Sequence, residues 1–161
     1  MKFTNGKKEL IFEIEKAPFP ACHASNLCCL ADGSLLAAWF AGEKEGSDDV
    51  SIWTARRING RWEDPILTAR DAEAPHWNPV IYQRDDGVIL LFYKVGKSIK
   101  KWSTHVRTSR DNGATWSDCR ELVPGGISRG PVRCKVLALS NGAMLAGTST
   151  EDGIWKSYAD S

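Results

Sequence analysis

Acidic, aromatic and cationic side chains fall into a few tight groups along this 161-residue chain, and their types narrow the chemistry open to it. Asp48 and Asp49 adjoin each other behind Glu43 and Glu45. Crowded carboxylates raise one another's proton affinity toward that of a working general acid, although the same run also suits a solvated loop. His23 can hand over a proton near neutral pH or simply bond backbone. In His76-Trp77-Asn78-Pro79 an indole face flanked by polar donors suits a stacked sugar ring; the alternative is a structural turn with Trp77 as core and Asn78 as a cap before Pro79. Lys94 and Lys135 are the lysines set to meet an anionic ligand, whereas Lys97, Lys100 and Lys101 read as a solvated run. Ser109 has no nucleophile elbow around it, so serine-hydrolase chemistry is not implied. Neither a phosphate-cradling glycine loop nor a regular calcium-ligand spacing occurs. The five cysteines, Cys22, Cys28, Cys29, Cys119 and Cys134, show no CxxC pair and no His at zinc-finger spacing. We therefore expect no cofactor and no metal, and reduced, mostly buried thiols in a cytoplasmic protein.

These groups need a scaffold, and the chain repeats itself. Asp32-Gly33, Asp86-Gly87 and Asn141-Gly142 each separate two apolar segments, at steps of 54 and 55 residues, and Trp62 and Trp116 keep the same step. The runs SLLAAWFAG, VILLFYKVG and AMLAGTSTE follow their turns in the same way. Asp-Gly and Asn-Gly are read as two-residue hairpin turns with positive φ at both positions. No segment sustains a 3.6-residue apolar period, and prolines and glycines punctuate the chain every few residues. DVSIWTARRI and RWEDPILT supply two further strands to the first unit, with Pro65 near a sheet edge. Four short antiparallel strands per repeat describe a β-propeller blade. The expectation is an all-β fold: one partial propeller domain over residues 1–161, with units at about 20–70, 74–125 and 129–161. A closed propeller takes roughly 4–8 blades, so the chain is expected to be a piece of a longer protein or to associate through exposed blade faces into homo-oligomers.

In a propeller, ligands collect at the mouth formed by the innermost strands and the loops joining second and third strands. The repeat register puts His23, His76-Trp77-Asn78, Arg133 and Lys135 at innermost-strand entrances. It puts Glu43, Glu45, Asp48, Asp49, Lys94, Lys97, Lys100, Lys101, Trp102, Glu151 and Asp152 in the mouth loops. Trp53, Trp62 and Trp116 are read as core. Lys+Arg 21 against Asp+Glu 20 leave a net charge of +1, so no global field points to a nucleic-acid partner. Glu9, Glu13 and Glu15 interrupt the apolar positions of the N-terminal segment, and no ~20-residue apolar span occurs, so neither a secretory leader nor a membrane partner is expected.

Ser109-Arg110-Asp111-Asn112-Gly113-Ala114-Thr115-Trp116 matches the Asp-box pattern S-x-D-x-G-x-T-W, and on it the chain resembles the sialidases and related BNR-repeat proteins. The order HASNLCCLADGSLLAAWFAGEKEGSDDVSIW, HWNPVIYQRDDGVILLFYKVG, VRTSRDNGATWSDCREL is similar to their first two blades over roughly residues 20–125, with part of a third over 130–161. The resemblance implies that Ser109, Asp111, Gly113, Thr115 and Trp116 are structural, at an outer hairpin away from the site. It implies a general acid/base within Ser47-Asp48-Asp49, and a tyrosine nucleophile and further arginines in later blades. Where such proteins open the first blade with Arg-Ile-Pro, this chain has His23-Ala24-Ser25, an imidazole in place of a permanent cation. Expected catalytic residues are Asp49, Asp48 and His23. Expected substrate contacts are Glu45, His76, Trp77, Asn78, Lys94, Arg133, Lys135 and Glu151. The implied function is part of an exo-glycosidase acting on acidic sugars, with sialosides the default and no cofactor. The alternatives are a non-catalytic carbohydrate-binding or remnant propeller, or a uronate-directed lyase or glycosidase in which His23 handles the proton.

Overall fold

The computed structural model describes residues 6, 8–70 and 74–161 and consists of three antiparallel sheets that do not close a ring. Blade 1 contains β1 (Ala21–Cys29), β2 (Leu35–Gly42), β3 (Ser51–Ile58), β4 (Arg61–Trp62) and β5 (Ile66–Ala69). Blade 2 contains β6 (His76–Gln83), β7 (Ile89–Val95), β8 (Ser103–Ser109) and β9 (Arg120–Glu121). Blade 3 contains β10 (Leu137–Ala138), β11 (Met144–Asp152) and β12 (Ile154–Asp160). Residues 1–5 and 7 of the N-terminal segment read as lacking a leader lie outside the described residues. Among the described residues, no helix is long and apolar enough to cross a membrane.

The apolar runs after the turns become second strands, and their continuous apolarity has a cause. In β2, Leu36, Ala38 and Phe40 join the core shared with blade 2, while Ala37, Trp39 and Ala41 face the opposite core. In β7, Ile89, Leu91, Tyr93 and Val95 meet blade 1, while Leu90 and Phe92 pack with Val136 of blade 3. Each second strand is thus buried on both faces, and alternation gives way to an unbroken apolar run. The N-terminal residues Phe12 and Phe19 cover the remaining face of blade 1, Phe12 stacking on Trp39 at 5.3 Å and Phe19 meeting Trp53 edge-on at 5.0 Å. On blade 3, β12 leaves Ile154 and Trp155 about three-quarters exposed.

The repeat turns differ from the expected two-residue form. Gly33 N–H donates to Leu30 C=O and Leu30 N–H to Ser34 C=O, both at 2.9 Å, and the same pair recurs around Gly87 and Gly142. Only the glycine takes positive φ, at 81–85° in the three turns. Each is a three-residue loop ending in a glycine bulge, because the Asp32, Asp86 and Asn141 side chains accept the N–H two residues on and hold the residue before glycine in a right-handed conformation. The true two-residue turn is Asn59-Gly60, with φ of 50° and 79°. Pro65 lies between β4 and β5, so the outermost strand of blade 1 pairs with β3 in two pieces.

The hairpin tip at residues 109–116 ties blade 2 to blade 1. Asp111 accepts from Ser109 Oγ at 2.8 Å, Thr115 N–H at 2.9 Å and Thr115 Oγ1 at 2.5 Å. Asn112 Nδ2 donates to Asp32 at 2.7 Å, and Trp116 packs on the core between the blades. A Cβ on Gly113 would stand 2.9 Å from Leu36 Cδ1, so the tip seats directly on β2. These donors, the Thr115 hydroxyl first, hold the Asp111 carboxyl down at about 2. The folded state therefore binds fewer protons here than the unfolded chain, and the contribution is present above about pH 4 and lost as pH falls toward 2. Asp111→Asn is expected to lower the melting temperature at pH 7 by ~2–4 °C, for about 1 kcal/mol after screening by water. Thermal melts from pH 7 to 2 check this: the gap between the two proteins should close below pH 4.

Candidate functional site

The innermost strands share an irregularity in repeat register. The pairing of β1 with β2 slips between His23 and Asn26, and that of β6 with β7 slips between Trp77 and Val80. Ala24 and Asn78, within these slips, take φ of 52° and 45°. In blade 3, Arg133 has φ 65° and Cys134 N–H donates to Val132 C=O at 2.7 Å, a left-handed γ-turn. Ala24, Asn78 and Arg133 are thus 54 and 55 positions apart, and left-handed backbone at non-glycine residues costs on the order of 1 kcal/mol each. Bulges re-aim side chains. Here all three positions line one cavity of about 400 Å³, together with His23, Trp77 and Val132 just before them.

Two indoles form one wall. Trp77 and Trp102 stack with centroids 5.6 Å apart and planes 29° apart, and both Nε1–H groups donate to the Gly96 carbonyl, at 2.9 and 3.1 Å. With their donors engaged, the pair offers ring faces rather than hydrogen bonds. Phe40 meets Trp77 edge-on at 5.4 Å and His23 meets Phe40 edge-on at 5.6 Å, extending the aromatic wall into blade 1. The polar lining comprises His23, Glu45, Asn78, Lys97, Arg133 and Glu151. Among the described residues, no ion pair engages Glu45, Arg133 or Glu151. The rim above is laced by Lys97 to Asp48 at 3.1 Å and Lys100 to Asp152 at 2.7 Å, which link the mouth loops of all three blades.

The structure gathers six of the expected site residues around this cavity: His23, Glu45, Trp77, Asn78, Arg133 and Glu151. It places the others elsewhere. Asp49 accepts Glu43 N–H at 2.9 Å and its other oxygen is buried beside Gly42, closing its own loop. Asp48 is the rim partner of Lys97. His76 is buried, stacked on Tyr93 at 5.3 Å, with Nδ1 3.0 Å from Ala74 O and its backbone N–H on Val50 O. Lys135 does not line the cavity; its Nζ donates to Leu27 O at 2.6 Å and reaches Asn26, whose side chain also accepts Ile81 N–H, so β1, β6 and the segment leading into β10 meet there. Glu151 lies inside β11 and Asp152 at its end, where a single glycine makes the turn to β12. Phe40, Lys97, Ile99 and Val132 also line the cavity. Of these, Lys97 stands beside the Gly96 turn that carries the indoles, a signal legible in YKVGK.

Lys94 is the largest departure. It lies within β7, is 1% exposed, and alternation turns it away from Tyr93 and Val95 toward blade 3. Its ammonium donates to Thr104 Oγ1 at 2.6 Å, Arg129 O at 2.7 Å and Gly130 O at 3.4 Å, using all three hydrogens on neutral acceptors. Arg129 in turn grips Asp160 with Nε at 2.7 and 2.9 Å. This network fastens blade 3 to blade 2 and takes no part in the mouth.

The family described as BNR repeat-like domain matches residues 33–160. Among curated proteins none matches. Similar solved structures include the Hadza microbial sialidase Hz136, at 13% identity and a TM-score of 0.74, covering 92% of this chain and 36% of that one. The NanB sialidase from Streptococcus pneumoniae is similar at 11% identity and a TM-score of 0.67, covering 95% of this chain and 46% of that one. An endo-arabinase from Bacteroides thetaiotaomicron is similar at 16% identity and a TM-score of 0.60, covering 86% and 55%. The chain therefore spans from about a third to just over half of the length of these structures. At such identities the likeness is one of fold, the open three-blade arc matching part of their propellers.

Burial lowers the Lys94 ammonium to about 8, against an ordinary value near 10.4. Between these values the unfolded chain holds more protons than the folded one, so this lysine makes stability rise with pH from about 8 to 10.4. Lys94→Met is expected to remove that rise, on the order of 2 kcal/mol across the window. Urea unfolding of both proteins at pH 7.5, 9 and 10.5 checks it.

Proposed function

The chain belongs to the BNR repeat-like domain family, and on that footing we propose that its mouth cavity binds an acidic glycoside as part of a sialidase-type exo-glycosidase. One observation carries this reading: the stacked Trp77–Trp102 pair, its N–H groups spent on Gly96, shares the cavity with an Arg133 that has no ion-pair partner among the described residues. Indole faces take the apolar face of a pyranose, and a guanidinium fork matches a carboxylate with two parallel donors. His23, edge-on to Phe40, supplies a further polar ring to the lining.

Glycoside hydrolysis needs a carboxylic acid to protonate the leaving oxygen and a second group on the opposite face of the sugar. In this reading the acid is Glu45 rather than Asp48 or Asp49, because both aspartates are engaged outside the cavity and Glu45 lines it. Glu151, from blade 3, is the second carboxylate of the cavity and takes the other role. Arg133 orients the substrate's charge, and Asn78 donates to ring hydroxyls. No tyrosine lines the cavity among the described residues, so the 161-residue chain by itself is expected to bind acidic sugars while turning over sialosides little above background. The engagement of Asp48 and Asp49 equally favours a second reading, a carbohydrate-binding propeller without hydrolysis.

The test is titration calorimetry with N-acetylneuraminic acid, a uronic acid and galactose, alongside a fluorogenic sialoside assay. The acidic sugars are expected to bind in preference to galactose. Arg133→Ala should weaken them about 10-fold or more while leaving galactose unchanged, and Trp77→Ala should weaken all three. Equal binding of galactose and acidic sugars by the unaltered chain would remove the acidic-sugar assignment. Turnover abolished by Glu45→Gln would select hydrolysis over binding alone.

A further inference from the structure

The face of blade 2 toward blade 1 carries a second cluster of titratable side chains, none of which lines the mouth cavity. Tyr93 on β7 and His105 on β8 are direct cross-strand neighbours with rings stacked at 6.0 Å. Cys119 precedes β9, whose pairing with β8 brings the thiol back across the sheet. Its Sγ accepts from Tyr93 Oη at 3.0 Å and lies 3.1 Å from His105 Nδ1. Ser103 Oγ, 3.0 Å from His105 Nε2, fixes the ring from its far side. Burial first, and then the bond to Cys119, push the Tyr93 phenol well above its ordinary value, so it remains a protonated donor. Against the expectation of mostly buried thiols, Cys119 is exposed, as are Cys22, Cys29 and Cys134, and Cys28 is half-buried.

The other four cysteines lack such company. Cys28 and Cys29 merely donate to the carbonyls of Cys29 and Leu30, at 3.6 and 3.8 Å. Burial raises the Cys22 thiol, and Cys134 has no side-chain hydrogen-bond partner among the described residues. A sulfur that receives one hydroxyl proton and faces an imidazole is equipped to become a thiolate, the nucleophilic form.

We propose that Cys119 is a modification site for small hydroperoxides, with His105 as its base and Tyr93 holding the sulfur anion. His105 Nδ1 takes the thiol proton, and the thiolate attacks one peroxide oxygen. The S–O bond forms as the O–O bond breaks, and the departing hydroxide takes the proton back from His105. Hydrogen peroxide thereby yields cysteine sulfenic acid and water, sulfur being oxidised by two electrons and the peroxide reduced by two. This site does not rest on the sugar reading.

The experiment uses the whole folded chain. Iodoacetamide at pH 7 with peptide mapping compares the five thiols, and one equivalent of hydrogen peroxide with dimedone traps sulfenic acid. Cys119 is expected to alkylate at least about 10-fold faster than Cys134 and to carry the dimedone adduct. His105→Gln and Tyr93→Phe, each shown to be folded by circular dichroism, should bring Cys119 down toward the rate of Cys134. A Cys119 no faster than Cys134 in the unaltered chain, or no dimedone on Cys119, would overturn the proposal. The first comparison lies within one protein and needs no variant to fold.

Discussion

Everything else in this molecule follows from two strands that are apolar on both sides. A strand such as β2 or β7 cannot leave either face to water, because each exposed Leu, Ile or Phe forfeits about 1.5–3 kcal/mol of burial. Only a sheet on each side satisfies it, and the sheets must therefore stack. Alanines at positions 37, 38 and 41 let neighbouring layers approach β2 closely, while Leu36 and the core residues of β7 fill the gap to blade 2. Stacking fixes where the innermost strands converge, and the convergence makes the mouth.

Rigidity is distributed unevenly over that mouth. The blades around it are fastened by Asn26, which receives Ile81 N–H from blade 2 and Lys135 from blade 3, and, away from the mouth, by the buried Lys94 network between blades 2 and 3. The rim is held by exposed ion pairs, Asp48 with Lys97 and Asp152 with Lys100, weak contacts that salt screens. The Trp77–Trp102 wall belongs to the rigid part, because one carbonyl holds both indoles and Gly96, at φ 145°, packs so close to Trp102 that a Cβ there would stand 3.2 Å from the indole. A fixed aromatic wall under an adjustable charged rim suits a ligand whose ring is constant and whose substituents vary.

The repeat made the blades and the mouth legible in the sequence, because turns, apolar runs and tryptophans recur at one step. It put Trp77, Asn78 and Arg133 in equivalent places for the same reason, and the structure lines one cavity with all three. Residues whose fate depends on a single position of register were not legible. Lys94 sits one place from Tyr93 and Val95, and strand alternation sends it into the neighbouring blade rather than the mouth. Asp49 differs from Glu45 by four residues, yet the loop folds back so that its carboxylate caps Glu43. The turn type escaped because Asp-Gly serves two geometries, and the side-chain bond that chooses between them is local to each loop. Cys119 and His105 are 14 residues apart with a hairpin tip between them, and only the short β8–β9 pairing brings them together.

The left-handed residues at 24, 78 and 133 separate what the cavity displays from what holds the fold. The pairing resumes on the far side of each slip at Asn26 and Val80, and a γ-turn closes around Arg133, so the main chain keeps its path whichever side chain is carried. A methyl, an amide and a guanidinium are displayed there from equivalent frames, like interchangeable tips on one handle. Point substitution at these three addresses therefore changes the lining of the cavity while the stacked layers stay as they are.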